Sequence, residues 1–229
     1  MKTTTHESIK KDREEFLSKH KNKDHVFLCG KNSSVILSAP HGVRQWRNNK
    51  PKYAEPGTVN TLLHLQKLCE CHAIVKTKNN RDDANYDEVS SYKSDLINYI
   101  KQNNIKYVLD IHSLAPERKC DINLGVNGGK NVETNTEIYR ELVKSLAGAG
   151  FNVYLDVPFS AGERTIAGSM KNKFNNLWTI QIEINSKIAW HKQGFEKYKK
   201  LLDVLSTFIV GLRWKWKLKK LKNKQVTSF

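Results

Sequence analysis

Short apolar runs alternate with longer amphipathic segments from residue 26 to residue 210. The short runs are rich in β-branched residues, which is typical of buried strands, and the longer segments repeat their apolar residues at helical spacing. The strands are predicted at 26–29, 35–39, 73–77, 105–111, 121–126, 151–157 and 177–184. The helices are predicted at 58–71, 92–100, 132–148 and 195–210. Such alternation predicts a three-layer α/β domain with a central mixed, mostly parallel sheet.

One domain, over residues 25–211, accounts for most of the 229 residues. A charged leader, either a solvated helix or a disordered segment, is predicted at 1–24, and a basic tail at 212–229. The formal charge is +16, which favours anionic partners or a solubilising surface equally. No run of 18 apolar residues and no signal-peptide pattern occurs, and four cysteines do not make a disulfide framework, so a reduced, cytoplasmic protein is expected.

Two of the predicted strands lead directly to a histidine. His41 follows the apolar run at 35–39, and His112 follows the run at 105–111. Ligands of open α/β sheets bind just beyond the carboxyl ends of the strands. The two histidines therefore predict a shared site, and the residue type favours a metal, most simply zinc.

A third ligand is needed for a catalytic zinc site, which keeps one position open for water. Glu55 lies in the loop that returns from His41, and a residue there can fold back over the strand ends. Asp110 is the alternative, because it lies two residues before His112 and points to the same side of its strand. Asp110 could also orient His112 instead of binding the metal.

Glu183 is the candidate base that takes a proton from the metal-bound water. It lies in the apolar run Thr-Ile-Gln-Ile-Glu-Ile-Asn, where a buried charge needs a partner or a task. Gln181 and Asn185 share its face, so the alternative is an antiparallel strand with one wet face.

A further cluster, Cys69-Glu-Cys-His72, resembles a metal site by composition. Residues two apart on a helix do not share a face, and no second Cys/His pair stands at zinc-finger spacing. This cluster is therefore not expected to bind metal.

Six motifs resemble, in order, those of the N-formylglutamate amidohydrolase family, which is similar in fold to zinc carboxypeptidases. They are Ser-Ala-Pro-His-Gly at 38–42, Glu-Pro-Gly-Thr at 55–58, Arg81 with Asp-Asp-Ala-Asn-Tyr-Asp, Leu-Asp-Ile-His-Ser at 109–113, Val-Pro-Phe-Ser-Ala-Gly at 157–162 and Gln-Ile-Glu-Ile-Asn at 181–185. The resemblance covers roughly residues 33–190.

The resemblance implies a phosphorylase/hydrolase-like fold and a single zinc ion held by His41, Glu55 and His112, with Glu183 as general base or acid. It further implies that Arg81, Asn85 and Arg164 hold a substrate carboxylate, a task that suits the planar fork of arginine. The family usually has Asn-Arg where this chain has Asn85-Tyr86. In place of the family's Pro-Tyr-Gly-Gly loop, this chain has Pro-Phe-Ser-Ala-Gly-Glu-Arg, which includes Phe159. The predicted activity is therefore hydrolysis of an amide bond in an N-acyl amino acid or small peptide, with the exact substrate left open.

The alternative is a catalytically altered enzyme fold that acts as a binding protein, with its basic tail as the surface that contacts the partner. Trp214 and Trp216 interleave with lysines, and an amphipathic helix there could lie on an anionic membrane or stack on nucleic acid. The competing interpretation packs the same tryptophans onto the domain.

Overall fold

The computed structural model describes the backbone of residues 5–226 and the side chains of residues 5–214. The strands in this part of the chain are β1 (His25–Leu28), β2 (Val35–Ala39), β3 (Gln45–Arg47), β4 (Lys50–Lys52), β5 (His72–Lys76), β6 (Tyr107–Leu114), β7 (Ile122–Gly125), β8 (Val153–Leu155) and β9 (Trp178–Asn185). The helices are α1 (His6–His20), α2 (Thr58–Cys69), α3 (Ser91–Gln102), α4 (Thr136–Gly148), α5 (Ile166–Lys173), α6 (Ser186–Ala189) and α7 (Phe195–Val226).

The central sheet has seven strands in the order β1-β5-β2-β6-β9-β7-β8. The pairs β2–β5, β2–β6, β6–β9 and β7–β8 are parallel, whereas β1–β5 and β7–β9 are antiparallel. This confirms the prediction of a mixed, mostly parallel sheet. The strands β3 and β4 form a separate antiparallel hairpin.

Side-chain alternation along the strands creates a core on each face of the sheet. In β2, Val35 and Leu37 point to the core formed with α2, α4 and α7, whereas Ile36 points to the core formed with α3 and α5. Neighbouring strands repeat the pattern in register, since Leu37 pairs with Leu109 and Ile36 pairs with Val108. The result is the expected three layers, with apolar residues buried on both faces of the central strands.

Several elements differ from the sequence prediction. The hairpin of β3 and β4 lies between the predicted strand at 35–39 and the predicted helix at 58–71, where no strand was predicted, and α5 was not predicted at all. Strand β6 continues to Leu114, so His112 lies inside the strand and not beyond its end. Helix α2 begins at Thr58, as predicted, after the left-handed residue Gly57, but it ends at Cys69 and not at residue 71. These segments carry weak periodicity, and tertiary pairing decides their structure.

The two ends of the described chain are helical. Helix α1 lies within the predicted leader, begins at a capping box formed by Thr5 and Ser8, and buries Ile9 in the core. Helix α7 continues without a break to Val226, and Leu212 is buried within it. No helix among the described residues is both long and apolar enough to cross a membrane.

Candidate metal centre

The candidate site lies on the face of the sheet that α3 and α5 cover only in part. On that face β6 presents Val108 to the core, and Asp110 and His112 follow it toward the carboxyl end of the strand. Asp110 pairs with Gln181 of β9, and His112 pairs with Glu183. Paired residues of neighbouring strands point to the same side about 5 Å apart, so the register gathers four polar side chains.

Glu55 lies between the two histidines. Its Oε1 is 2.6 Å from His41 Nδ1, and its Oε2 is 2.9 Å from His112 Nδ1. Its backbone N–H donates to the carbonyl oxygen of His41 at 3.0 Å, which folds the loop back over the end of β2. The N–H of Ser113 donates to the same carboxylate at 3.1 Å. The loop and β6 together therefore fix the position of Glu55.

Each histidine is held through its other nitrogen by a buried aspartate. His41 Nε2 donates to Asp83 Oδ1 at 2.7 Å, and His112 Nε2 donates to Asp110 Oδ2 at 3.0 Å. Both aspartates are fully buried. Asp110 thus lies on the far side of His112 from Glu55, which is the orienting place that the sequence left open. Glu55 alone of the two acids faces both histidines.

These contacts shift the acid–base behaviour of the cluster. Burial would raise the pKa of Glu55, but the adjacent His41 and His112 hold it well below its usual value. Burial would likewise lower the pKa of His112, yet Asp110 and Glu55 raise it well above its usual value. For Asp83, burial is outweighed by the hydrogen bond with His41 and the charge of Arg47, so its pKa is lowered.

Glu183 faces this cluster as a buried carboxylate. It is 4% exposed, and Gln181 Nε2 donates to its Oε1 at 2.7 Å. Burial raises the pKa of Glu183 to about 7, against the opposing charge of His112. All eight residues of β9 are buried, and the strand is parallel to β6 and antiparallel to β7. The alternative of an antiparallel strand with a wet face is therefore wrong.

The donor set of His41, Glu55 and His112 fits a metal ion. One ligand atom from each of the three residues lies within 4.8 Å of the other two. The carboxylates on Nε2 leave both Nδ1 atoms turned toward Glu55, and a carboxylate behind a histidine is the usual support of a metal-bound imidazole. Two imidazoles and one carboxylate are also a ligand set of catalytic zinc.

The Cys69-Glu-Cys-His72 segment does not form a second site. Cys69 and Cys71 are buried in the apolar core, and burial raises the pKa of Cys69 to about 12. His72 Nδ1 accepts a hydrogen bond from the N–H of Gly30 at 3.0 Å and contacts the hydroxyl of Tyr99 at 2.8 Å. All four cysteines of the chain are unpaired.

A cavity of about 970 Å³ opens over the cluster, which is ample for a small ligand. Asn85 and Arg164, to which the family resemblance assigns the substrate carboxylate, line this cavity, although Asn85 Oδ1 accepts the N–H of Ile166 at 2.7 Å. Arg81 does not line this cavity; its side chain is exposed, with the guanidinium 5.1 Å from the centre of the Trp46 ring. Arg81 is therefore not part of the site proposed for the substrate.

The cations that sequence reasoning missed come from two different segments. Arg47 lines the cavity from the β3–β4 hairpin and binds Asp83 Oδ2 through Nε at 2.8 Å and Nη2 at 2.7 Å. Lys52, from the same hairpin, and Arg118 also line the cavity.

Asp83 is an acidic residue of the site that sequence reasoning also missed. Its signal was its place in the motif that follows Arg81, but nothing local links it to a histidine 42 positions earlier.

No protein-family model matches this chain, and neither does any curated protein. Solved structures do match. N-formylglutamate amidohydrolase from Ralstonia eutropha is 11% identical with a TM-score of 0.54, and the match covers 84% of this chain and 97% of that one. A metallo-carboxypeptidase from Burkholderia cenocepacia is 9% identical with a TM-score of 0.54, over 92% and 69% of the two chains. A bacteriophage poly-gamma-glutamate hydrolase is 12% identical with a TM-score of 0.50, over 86% and 91%.

This chain has the fold that these hydrolases share. The likeness confirms, at the level of the fold, the resemblance that the six motifs indicate. Because the identities are low, the likeness carries the fold and leaves the reaction to be argued from the site.

Proposed function

We propose that this chain is a zinc-dependent hydrolase that cleaves the amide bond of an N-acyl amino acid or small peptide carrying a carboxylate. One observation carries the proposal. His41 and His112 turn the same ring nitrogen toward one carboxylate at the floor of a cavity, while Asp83 and Asp110 occupy the opposite nitrogens. A purely structural ion-pair cluster does not need that orientation, whereas a metal site does.

In the proposed mechanism His41, Glu55 and His112 hold the metal. Zinc, when bound, supplies a Lewis acid for the scissile carbonyl and lowers the pKa of its water. With the metal bound, the hydrogen bonds from both Nε2 atoms to the aspartates would keep the ring proton on Nε2, so that each Nδ1 offers its lone pair to the ion.

Glu183 is the proposed general base and acid. Gln181 already donates a hydrogen bond to Oε1, so we assign the proton transfer to Oε2. Oε2 takes a proton from the attacking water and later gives it to the leaving amine. Burial raises the pKa of Glu183 to about 7 in the metal-free protein, and a bound zinc ion would lower it from there, so the carboxylate is not locked in its protonated form near neutral pH.

The substrate carboxylate is proposed to bind at the wall of the cavity that carries Asn85 and Arg164. Arg164 places its guanidinium 5.8 Å from the centre of the Tyr86 ring, and a guanidinium can bind a carboxylate through two parallel hydrogen bonds. Arg118 is a further cation that lines the cavity. Arg47 is already engaged by Asp83, so we assign it to the support of His41 and not to the substrate.

A reduced, cytoplasmic setting forms part of the proposal, supported by the four unpaired cysteines. Binding of an anionic membrane or nucleic acid through the tail at 212–229 stays a prediction. From residue 215 onward its side chains, including that of Trp216, lie outside the described residues.

Glu183→Gln tests the proposed chemistry. Purified wild-type protein is expected to hold stoichiometric zinc and to hydrolyse members of a panel of N-acyl amino acids, including N-formyl and N-acetyl glutamate. The variant should keep its zinc, since Glu183 is not a proposed ligand, but lose about 10²–10⁴-fold in kcat. Zinc is measured by elemental analysis and kcat by release of the free amine.

Glu163→Gln is the matched control. Glu163 is an exposed carboxylate on the rim of the same cavity and should leave both zinc content and kcat near the wild-type values. Wild-type protein that neither contains nor takes up zinc would contradict the proposed function. Full activity in Glu183→Gln would remove Glu183 from the role of base.

A further inference from the structure

Lys52 reaches into the candidate metal centre from the end of the β3–β4 hairpin. Its ammonium nitrogen Nζ is 2.8 Å from His41 Nδ1 and 2.8 Å from Glu55 Oε1. The Lys52 side chain is 30% exposed, so it is not a solvated surface lysine. It contacts the cluster on the side that faces the cavity, which it also lines.

The two atoms that Lys52 contacts are the proposed ligand atoms of His41 and Glu55. An ammonium group has three donors and no acceptor, so toward Glu55 Oε1, and toward His41 Nδ1 whenever that nitrogen is unprotonated, it can only donate to a lone pair of the ligand atom. A metal ion needs that same lone pair. Hydrogen bonding by Lys52 and metal binding are therefore mutually exclusive at His41 Nδ1.

The hairpin holds Lys52 in this place through contacts with the loop that carries Asp83. The N–H of Trp46 donates to the carbonyl oxygen of Asp82 at 3.1 Å, and Arg47 binds the Asp83 carboxylate. In the hairpin, Gln45 pairs with Lys52, which sets the lysine opposite an anchored strand. Lys52 is therefore placed by backbone structure and not only by attraction to Glu55.

We propose that Lys52 is an internal cation that competes with the metal ion for His41 and Glu55 and thereby lowers the affinity of the site for metal. The inference rests on the metal site of the proposed function. When metal binds, the ammonium leaves His41 Nδ1 and Glu55 Oε1 and turns into the cavity, where it adds a positive charge near the substrate.

The test measures metal affinity and does not depend on turnover. Chelator-stripped wild-type protein, Lys52→Met and Lys52→Gln are titrated with Zn²⁺ against a chromophoric chelator at one fixed pH. Removal of a charge-assisted hydrogen-bond donor from the ligands should tighten Zn²⁺ binding by about tenfold or more. Lys50→Met is the matched control, because Lys50 is an exposed lysine of the same short strand and should leave the affinity unchanged.

Lys52→Arg keeps a cation on the hairpin and should bind Zn²⁺ more weakly than Lys52→Met. Circular dichroism of each stripped variant checks that it is folded. Two neutral variants are used so that the test remains possible if one of them does not fold. Zn²⁺ affinity equal to or weaker than that of the wild type in both neutral variants would overturn the role of Lys52 while leaving the metal site in place. If neither the wild type nor any variant bound Zn²⁺, both the inference and the proposed function would be wrong.

Discussion

Within the site, the decisive detail at the scale of single residues is the ring nitrogen that each histidine turns toward Glu55. Asp83 and Asp110 settle this, because each accepts a hydrogen bond from Nε2 and so leaves Nδ1 for the shared site. A carboxylate in that place orients the ring and raises the basicity of the ligand. Neither aspartate touches the proposed metal position, yet both are expected to control it.

Asp83→Asn and Asp110→Asn test this control. An asparagine either turns its NH₂ group toward Nε2, which removes the hydrogen bond, or accepts this bond through a neutral oxygen that supports the ring less strongly. Each variant should therefore weaken Zn²⁺ binding about 10–100-fold. A competition titration measures the affinity. Asp203→Asn, an exposed position on α7, should leave it unchanged. Wild-type affinity in both buried variants would show that the aspartates do not support the ligands.

A second residue-scale prediction concerns the pH dependence of stability. Burial raises the pKa of Glu183 to about 7 from an ordinary value of 4.5. Between these values the folded chain holds a proton that the unfolded chain has released, so stability falls as pH rises through this range. This loss amounts to up to about 3 kcal/mol in the free energy of unfolding, and Glu183→Gln should not show it because glutamine does not ionise.

The measurement is thermal unfolding of chelator-treated protein at several pH values. The Tm of Glu183→Gln relative to the wild type should be higher at pH 8 than at pH 5. A constant difference between the two proteins across this range would mean that Glu183 ionises in the folded state as it does in the unfolded chain.

At the scale of elements, α7 joins the domain to the basic tail without a break. Leu212 is 1% exposed, and Arg213 donates to the carbonyl oxygens of Cys69 at 2.7 Å and Lys31 at 2.9 Å. Trp214, the next residue, is 60% exposed. The last contacts by which the described helix joins the core therefore include residues that the sequence had assigned to the tail.

Two truncations separate the core part of α7 from the rest. A chain ending at Trp214 should unfold within a few degrees of the full chain. A chain ending at Gly211 also loses Leu212 and Arg213, which removes a buried leucine and leaves two carbonyls without their donor. We expect a further loss of about 2–5 kcal/mol, read as a clear fall in Tm. Equal Tm values for the two truncations would contradict this boundary.

At the scale of the whole molecule, the three proposed ligands come from separate parts of the chain. His41 follows β2, Glu55 precedes α2, and His112 lies in the middle strand β6. A metal ion bound to all three would tie a surface loop to the centre of the sheet. Binding to the folded state alone must raise its stability by mass action.

Zinc at a hundred times its Kd should therefore raise the Tm of the stripped protein by about 5–10 °C. Differential scanning calorimetry with and without the ion measures the shift. His112→Gln should lose most of it, whereas His191→Gln, an exposed histidine outside the site, should keep it. A shift that survives in His112→Gln would place the stabilising zinc elsewhere.

The sequence determined the parts of this protein that local chemistry controls. Apolar runs of β-branched residues fixed the central strands, with Val35–Ala39 predicted to the residue, and the strand-end histidines pointed to one site. Glu55 and Asp110 remained alternatives, because spacing along the chain does not say which carboxylate folds back between two rings.

The tertiary structure decided the rest, since those contacts join residues far apart in the chain. It placed Glu55 between the histidines and gave Asp83 to His41. It paired a polar loop into the hairpin that brings Lys52 to the site, and it left Arg81 outside the cavity. A buried charge finds its partner only when the packed core brings the two together and excludes water, and local sequence patterns contain no record of that distance.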